Sequence, residues 1–479
     1  MSLTFQIRRL ARHSAIYGLG GILSRLLAVL LLPLYTSYLG TKGFGKIEIV
    51  TALTTVLVII LSAGISSAFF RFYFDSKDEV RRTLIVRTAF WFTMAMATVG
   101  LVLGVALASP ISHALHLGND PWLIRAGAVG LWAQMNYQQL TNLFRVEERS
   151  VQFVIASVAN ILITVGMTVL LVVGLHKGPT GAVVGNFIGT LAVYLVLLGY
   201  RRYQLGLQFD RQLLREMNRF GLPLVPSALA LWAITFIDRI FVNGYKGLAE
   251  AGVYSLAVRV SSVIVFLMIA FRLAWPAFAY SIEDESSAKR TYSYVLTYLL
   301  FVCCWISIAL GTLAPWLVKI LAPSSPGFYR ADEAVGVLSF GASAYAGYTV
   351  LAIGIGRARQ TQFNWIISGA AAILNIGLNF ALIPRYGMMG AAISTAAAYV
   401  ALFAGMAVNS QRVYPVAYQW RRVLTLSSVA IAMTAIGYEV RSLPLAIALC
   451  LAYPLVLLPL GFYLPAERAR LRRLVPLRG

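Results

Sequence analysis

Arg25, Arg239, Arg259 and Arg272 lie inside long apolar runs, and Arg145 closes another. A guanidinium there is costly in lipid, so it faces a protein interior or a wet cavity by default. Arg25 is the most central, about 11 residues or roughly 16 Å of helix from the start of its run. Guanidinium groups offer several charge-assisted donors to phosphate oxygens, so a hollow lined by these arginines would attract a diphosphate or an acidic sugar. Gln138 and Asn142 precede Arg145 in a run that also holds Gln134, Asn136 and Gln139, while Asn375 and Asn379 sit one helical turn apart. Amides suit sugar hydroxyls, and they suit inter-helix hydrogen bonds equally. Two acids complete the set. Asp238 is the first candidate for coupling to H+ or Na+, although Arg239 and Arg259 would keep it ionised, and Glu48 is the second. Plainer readings stand beside these. Asp238 and Arg259 would pair across a hairpin, Arg239 would reach the outer membrane surface, and Arg272 the inner one.

Other chemistry finds no footing. His113 and His116 are spaced i, i+3 without a third ligand nearby, which gives no metal site and places them in a loop. Cys303, Cys304 and Cys450 fall in apolar runs, where cysteine packs as a small side chain. The sequence has no Gly-rich loop ending in Lys-Ser/Thr for ATP, and its short connections leave no room for a soluble catalytic domain, so no enzymatic role and no cofactor beyond a coupling ion is expected.

The surroundings of these residues explain why their placement matters. The chain has 479 residues, 59% hydrophobic and 12% charged, with a mean hydropathy of +0.76. That is too little polar surface for a water-soluble globule of this size. Apolar stretches of roughly 20 residues, each able to cross a core of about 30 Å as a helix, recur about fourteen times. They lie near 14–39, 46–70, 84–108, 122–146, 153–175, 180–199, 222–244, 251–278, 291–320, 335–357, 361–384, 387–408, 422–438 and 443–463. The first run lacks a small-residue cleavage site and reads as an uncleaved helix. An all-α polytopic membrane protein follows.

One half of the chain repeats the other. Gly40 and Gly45 return as Gly247 and Gly252 at an offset of 247 minus 40, or 207. Gly178-Pro179-Thr180-Gly181-Ala182 returns as Gly387-Met388-Met389-Gly390-Ala391 at 209, and Gln152-Phe153 as Gln362-Phe363 at 210. A near-constant offset marks a duplicated unit. Each copy holds six spans, an even number, so both enter the membrane from one side as parallel repeats. The expected domains are a six-helix bundle over 1–200, an amphipathic cytoplasmic linker over 201–221, a second bundle over 222–410, and an extra helix pair with a basic tail over 411–479. Gly18, Gly20, Gly21, Pro33, Pro223, Pro226 and Pro276 would permit kinks or close helix approach.

The net charge of +22 is distributed, and its distribution orients the chain. With the N-terminus inside, about 27 of the 40 Lys and Arg lie at cytoplasmic loops or helix ends, as the positive-inside rule requires. Both termini are then cytoplasmic, and the charge meets anionic lipid rather than nucleic acid.

The stretch Pro33-Leu34-Tyr35-Thr36-Ser37-Tyr38-Leu39-Gly40 with Gly45 resembles Wzx-type polysaccharide flippases of the multidrug/oligosaccharidyl-lipid/polysaccharide (MOP) exporter superfamily. Gly221-Leu222-Pro223-Leu224-Val225-Pro226 leading to Asp238-Arg239 and Gly252-Val253-Tyr254-Ser255 is similar to the same family. So is Asn375-Ile376-Gly377-Leu378-Asn379 with Ile383-Pro384-Arg385-Tyr386-Gly387 and Gly390-Ala391-Ala392. The resemblance implies a flippase that carries undecaprenyl-diphosphate-linked oligosaccharide to the outer leaflet of a bacterial cytoplasmic membrane by alternating access, with glycan polymerase or other assembly machinery as possible partners. A lipid II flippase, also of fourteen spans, and a multidrug antiporter are the alternatives within the superfamily. A membrane polymerase is the alternative outside it, and it would need a larger external loop than any seen here.

Overall fold

The computed structural model describes residues 31–202, 204–358, 364–465 and 467. Every regular element among the described residues is a helix. In chain order they are α1 Leu32–Ser62, α2 Ile65–Asp75, α3 Glu79–Ala106, α4 Ala108–Ala114, α5 Pro121–Val146, α6 Ser150–Val169, α7 Gly178–Arg201 and α8 Arg211–Gly221. The second half continues with α9 Val225–Trp232, α10 Asp238–Lys246, α11 Leu248–Ser261, α12 Val263–Ser281, α13 Glu285–Leu321, α14 Asp332–Arg357, α15 Asn364–Val413, α16 Trp420–Val440 and α17 Leu443–Val456. Single π-helical turns follow α6 (Leu170–Gly174) and precede α10 (Ala233–Ile237).

Nine spans among the described residues are long and apolar enough to cross a membrane, ten if the bent pair α11 and α12 counts as one. The chain is thus a multi-pass membrane protein. The nine undercount because length alone merges some spans. At 50 residues α15 would measure about 75 Å as one rod, far more than one bilayer needs. It breaks at Gly387 (φ 55°, ψ −131°) into two spans. Helix α5 falls outside the nine because its amides and arginines lower its apolarity. The first expected span lies outside the described residues as far as residue 30.

Two of the glycines that recur at the 207-residue offset are backbone turns. Gly40 (φ 61°, ψ −176°) interrupts α1 where one span gives way to the next. Its repeat Gly247 (φ 86°, ψ 173°) does the same between α10 and α11. Both conformations are closed to residues with a Cβ, so glycine recurs because the turn recurs.

The helices gather into two compact units. One takes in the described residues up to Leu256 together with Ile320–Tyr329 and Ser368–Ser394. Its core sets Ile65, Phe69, Phe90, Phe144 and Tyr194 against one another. Gly64 and Gly221 touch backbone to backbone, fastening the amphipathic helix α8 to α2. Leu213 and Met217 of α8 are buried while Arg211, Arg215 and Arg219 are exposed. Arg201, expected in a loop, is 2% exposed and paired with Glu147 at 2.8 Å, its guanidinium over Phe144. The pairing partner sits 54 residues away, so local hydropathy does not reveal the burial. His113 lies on α4 rather than in a loop, and His116 follows in a turn.

The second unit holds the remaining described residues from Ala257 onward. Trp275, Tyr292, Leu296, Val350, Met406 and Tyr453 form its core, with Cys304 buried among them. The extra pair α16 and α17 is fixed to α13: Trp305 Nε1 donates to Cys450 O at 2.7 Å, and a Cβ on Gly437 would meet Thr312 Cγ2 at 2.5 Å. Small residues at such crossings let helices approach closely enough for dispersion to hold them where lipid supplies no hydrophobic drive.

Candidate functional site

On α5 the groups Gln134, Gln138, Thr141, Asn142 and Arg145 recur at three- and four-residue spacings, which puts them on one face. Asn136 and Gln139 point elsewhere and are buried. Asn136 is spent within the helix, its amide donating to Trp132 O at 2.8 Å. The five amides of the sequence therefore split into a lining set and a packing set.

The lining set faces a cleft of about 490 Å³ walled by α2, α5 and α6, where Ser66, Ser67, Gln138, Thr141, Asn142 and Asn160 supply the polar surface. A second cleft of about 290 Å³ shares Tyr137, Gln138 and Asn160 and extends to Gln134, Asn186 and Thr190. Together they form one groove within the first compact unit. Leu31, six residues after Arg25, lines its far part. Asn160 is oriented by Thr164 and Thr190, whose hydroxyls both donate to its Oδ1 at 3.2 Å. Arg145 stands at one end, its guanidinium 5.5 Å from the Phe70 ring and 5.9 Å from the Phe153 ring. No carboxylate lies within ion-pair distance of Arg145 among the described residues. Stacked rings hold such a cation by its faces and leave its donor edge available.

A second constellation lies in the same unit at α10, just after the π-helical turn. Such turns re-aim side chains and recur at functional sites. Asp238 is fully buried and accepts from Tyr254 Oη at 2.8 Å and from the Asn379 amide. The Asn379 amide also donates to Asn375 Oδ1 at 3.2 Å. Asn379 Oδ1 and Asn375 Nδ2 are buried without a hydrogen-bond partner. The cluster thus brings together three of the residues singled out in the sequence. The orphan Asn379 Oδ1 leaves one oxygen acceptor beside the carboxylate. Groups of three or more His, Cys, Asp or Glu fit for a metal are absent among the described residues.

The other candidates fall apart from this pair of sites. Arg239 is 4% exposed and does not reach a membrane surface. Its Nε lies 3.3 Å from Glu48 Oε2, its Nη1 donates to Thr235 O at 2.6 Å, and its plane covers Phe236. Glu48 is equally buried, so the two form a desolvated ion pair. Arg272 is exposed on α12 and donates to Tyr345 Oη at 3.3 Å. Arg259 is half-buried near the end of α11. Arg25 lies outside the described residues. Sequence reasoning passed over Ser66, Ser67, Ser157, Asn160 and Tyr254. The spacing Ser157, Asn160, Thr164 on an otherwise apolar helix was the available signal.

Known proteins bear on this geometry. In fold the chain is similar to the lipid II flippase MurJ in an inward closed conformation, with a TM-score of 0.73 at 12% identity over 92% of this chain and 98% of that one. An inward-facing multidrug resistance MATE family transporter of the MOP superfamily gives a TM-score of 0.69 at 13% identity over 81% and 94%. In sequence it is 23% identical over 278 residues, 56% of this chain, to the succinoglycan biosynthesis transport protein ExoT of Rhizobium meliloti. The matched stretches span 38% to 67% of the length of its sequence relatives. A MatE family model matches residues 223–381. The model of the polysaccharide biosynthesis protein family matches residues 10–281, more than half of the chain, and the chain belongs to that family.

Proposed function

We propose that the chain is a flippase for undecaprenyl-diphosphate-linked oligosaccharide repeat units, moving them from the cytoplasmic to the outer leaflet of a bacterial cytoplasmic membrane for surface polysaccharide synthesis. One observation carries this reading: a groove of amides and hydroxyls with a single, ring-stacked arginine at its end. Sugar hydroxyls both donate and accept, as amides and serines do, and the arginine offers its fork to a phosphate or a sugar carboxylate. The relative ExoT is by its name a transport protein of succinoglycan biosynthesis, which agrees in class. A cationic drug would want an acidic lining, and Asp and Glu are absent from the described residues lining this groove.

Alternating access is the mechanism, with the headgroup entering from the cytoplasm, where both termini lie, and the polyprenyl tail remaining in lipid. Arg25, Arg259 and Arg272 are assigned to the path of the anionic headgroup, and Asn375 and Asn379 to the support of Asp238, which binds the coupling H+ or Na+. An inside-negative potential adds about 2.3 kcal/mol per negative charge per 100 mV to outward movement. The protein transports and does not catalyse. A polymerase or other assembly enzymes would receive its product.

The test is transport of labelled lipid-linked oligosaccharide in vesicles holding the purified chain, run beside lipid II and a cationic dye. Movement of the oligosaccharide lipid alone supports the reading. Movement of lipid II alone would assign the chain to peptidoglycan precursors, and dye efflux alone to drug export.

A further inference from the structure

A second groove of the first compact unit is apolar along its length and charged at its mouth. Trp122, Arg125, Ala126, Val129 and Ala133 recur on α5 at three- and four-residue spacings, which sets them on one face. That face is not the one bearing Gln134 and Gln138. Opposite it, α7 supplies the other wall from Thr180 to Leu191, and the space between is about 280 Å³. Arg125 and Thr180 aside, every lining residue is apolar. Gly130 lets the Phe187 ring press against α5, since a Cβ there would meet Phe187 Cδ2 at 2.0 Å. The same ring also lines the amide groove, so it stands as the partition between the two. The walls run 133 minus 122 and 191 minus 180, or 11 residues each. That is about 16 Å at the helical rise, roughly half of a hydrocarbon core of about 30 Å. The groove therefore accompanies one acyl chain from a membrane surface to the midplane.

Arg125 lacks a counter-ion. No carboxylate lies within ion-pair distance of it among the described residues. Asp120, the acid nearest in sequence, caps Leu123 N at 3.3 Å and pairs with Lys46 at 3.6 Å. The Arg125 guanidinium stands 4.8 Å from the centre of the Trp122 ring, and its Nε is buried without a hydrogen-bond partner. Trp122 itself is 67% exposed at the second residue of α5, the level at which tryptophan rings favour a membrane surface. Lys177, exposed just before α7, adds a second cation at that end. A guanidinium with no internal anion at a lipid-facing groove is neutralised from outside. At that depth the available anion is the phosphate of a membrane lipid.

We infer that the groove between α5 and α7 binds one anionic phospholipid, with an acyl chain along Val129 and Phe187 and the phosphate on Arg125. The site is independent of the cargo. The far longer polyprenyl tail would overrun a groove that ends at the midplane. The test uses the full chain in phosphatidylcholine vesicles, titrated with phosphatidylglycerol or phosphatidylcholine brominated on the acyl chain near the headgroup, which quenches tryptophan on contact. The part of the quenching lost in Trp122→Phe reports the groove. Half-quenching is expected at an about fivefold lower fraction of the brominated phosphatidylglycerol, the scale of one arginine at a charged membrane surface. Arg125→Gln merges the two curves, and Ala126→Leu, which fills the groove and keeps the charge, weakens quenching by both lipids. Coincident wild-type curves, or a preference that survives Arg125→Gln, would overturn the site. Displacement of phosphatidylglycerol by a much smaller fraction of undecaprenyl phosphate would overturn it too and give the groove to the polyprenyl carrier. Quenching that fades as protein is crowded in the vesicle would give it to a second copy of the chain instead. If Arg125→Gln elutes as aggregate on size exclusion, the wild-type curves and Ala126→Leu decide.

Discussion

Helices α5 and α14, the fourth and tenth of the expected spans, carry different chemistry. Helix α5 presents Gln134, Gln138, Asn142 and Arg145 to an open groove. Helix α14 contains no Asn or Gln. Its serines are consumed internally, Ser343 bonding Ser307 at 3.0 Å and Ser339 donating to Val335 O. Tyr345 stacks with Tyr348 and tilts against Tyr399, with Arg272 above it. Backbone features behave in the opposite way. The Gly40 and Gly247 turns and the helix caps Asp78 and Asp284 recur in the two halves. The backbone turns are alike in the two halves while the side chains differ, amides on α5 and serines and aromatic rings on α14.

That contrast breaks most readily at the arginines. Arg25→Ala is expected to abolish glycan export while leaving protein in the membrane; export at the wild-type rate would remove Arg25 from the path. Glu48→Ala strands the buried Arg239 charge and should cost about 3–5 kcal/mol of stability, read as a lowered unfolding midpoint in detergent. Glu48→Ala with Arg239→Met should recover most of that loss. Arg145→Ala should slow transport by roughly 10- to 100-fold, and Gln138→Ala or Asn142→Ala by about 5- to 10-fold each, the scale of charged and neutral hydrogen bonds. Tyr345→Ala, in the other copy, should cost less than any of these, and an equal loss would erase the proposed division of labour. The smallest effect belongs to the shared caps. Hydrogen bonds from Ser287 and Ser286 hold the exposed Asp284 carboxyl down to about 2, below its ordinary 3.8. The sign follows: the stabilisation is complete above pH 3.8 and disappears as pH falls through about 2. Asp284→Asn should therefore differ from wild type in hydrogen exchange at the start of α13 at neutral pH, and the difference should vanish near pH 2.

Much of this was legible before any coordinates. Hydropathy marked the apolar runs that fold as helices, and glycine stands at both Gly40 and Gly247 because a left-handed turn leaves no alternative residue. The amide face of α5 was visible as an excess of polar groups in an apolar run. What stayed hidden was pairing across the copies. Glu48 and Arg239 are 239 minus 48, or 191, residues apart, and nothing local announces that they neutralise each other. Asp238 and Arg239 are adjacent in sequence but bond to different helices, the first to Asn379 and the second to Glu48. The serines of α2 and α6 were unremarkable until folding set them opposite Gln138 and Asn142.

The most direct measurement is a structure of the chain saturated with undecaprenyl-diphosphate-linked oligosaccharide. The account predicts sugar density between α2, α5 and α6, within hydrogen-bond reach of Gln138 and Asn142 and with a charged group against Arg145. Sugar density held elsewhere, with only lipid tails in that groove, would contradict it.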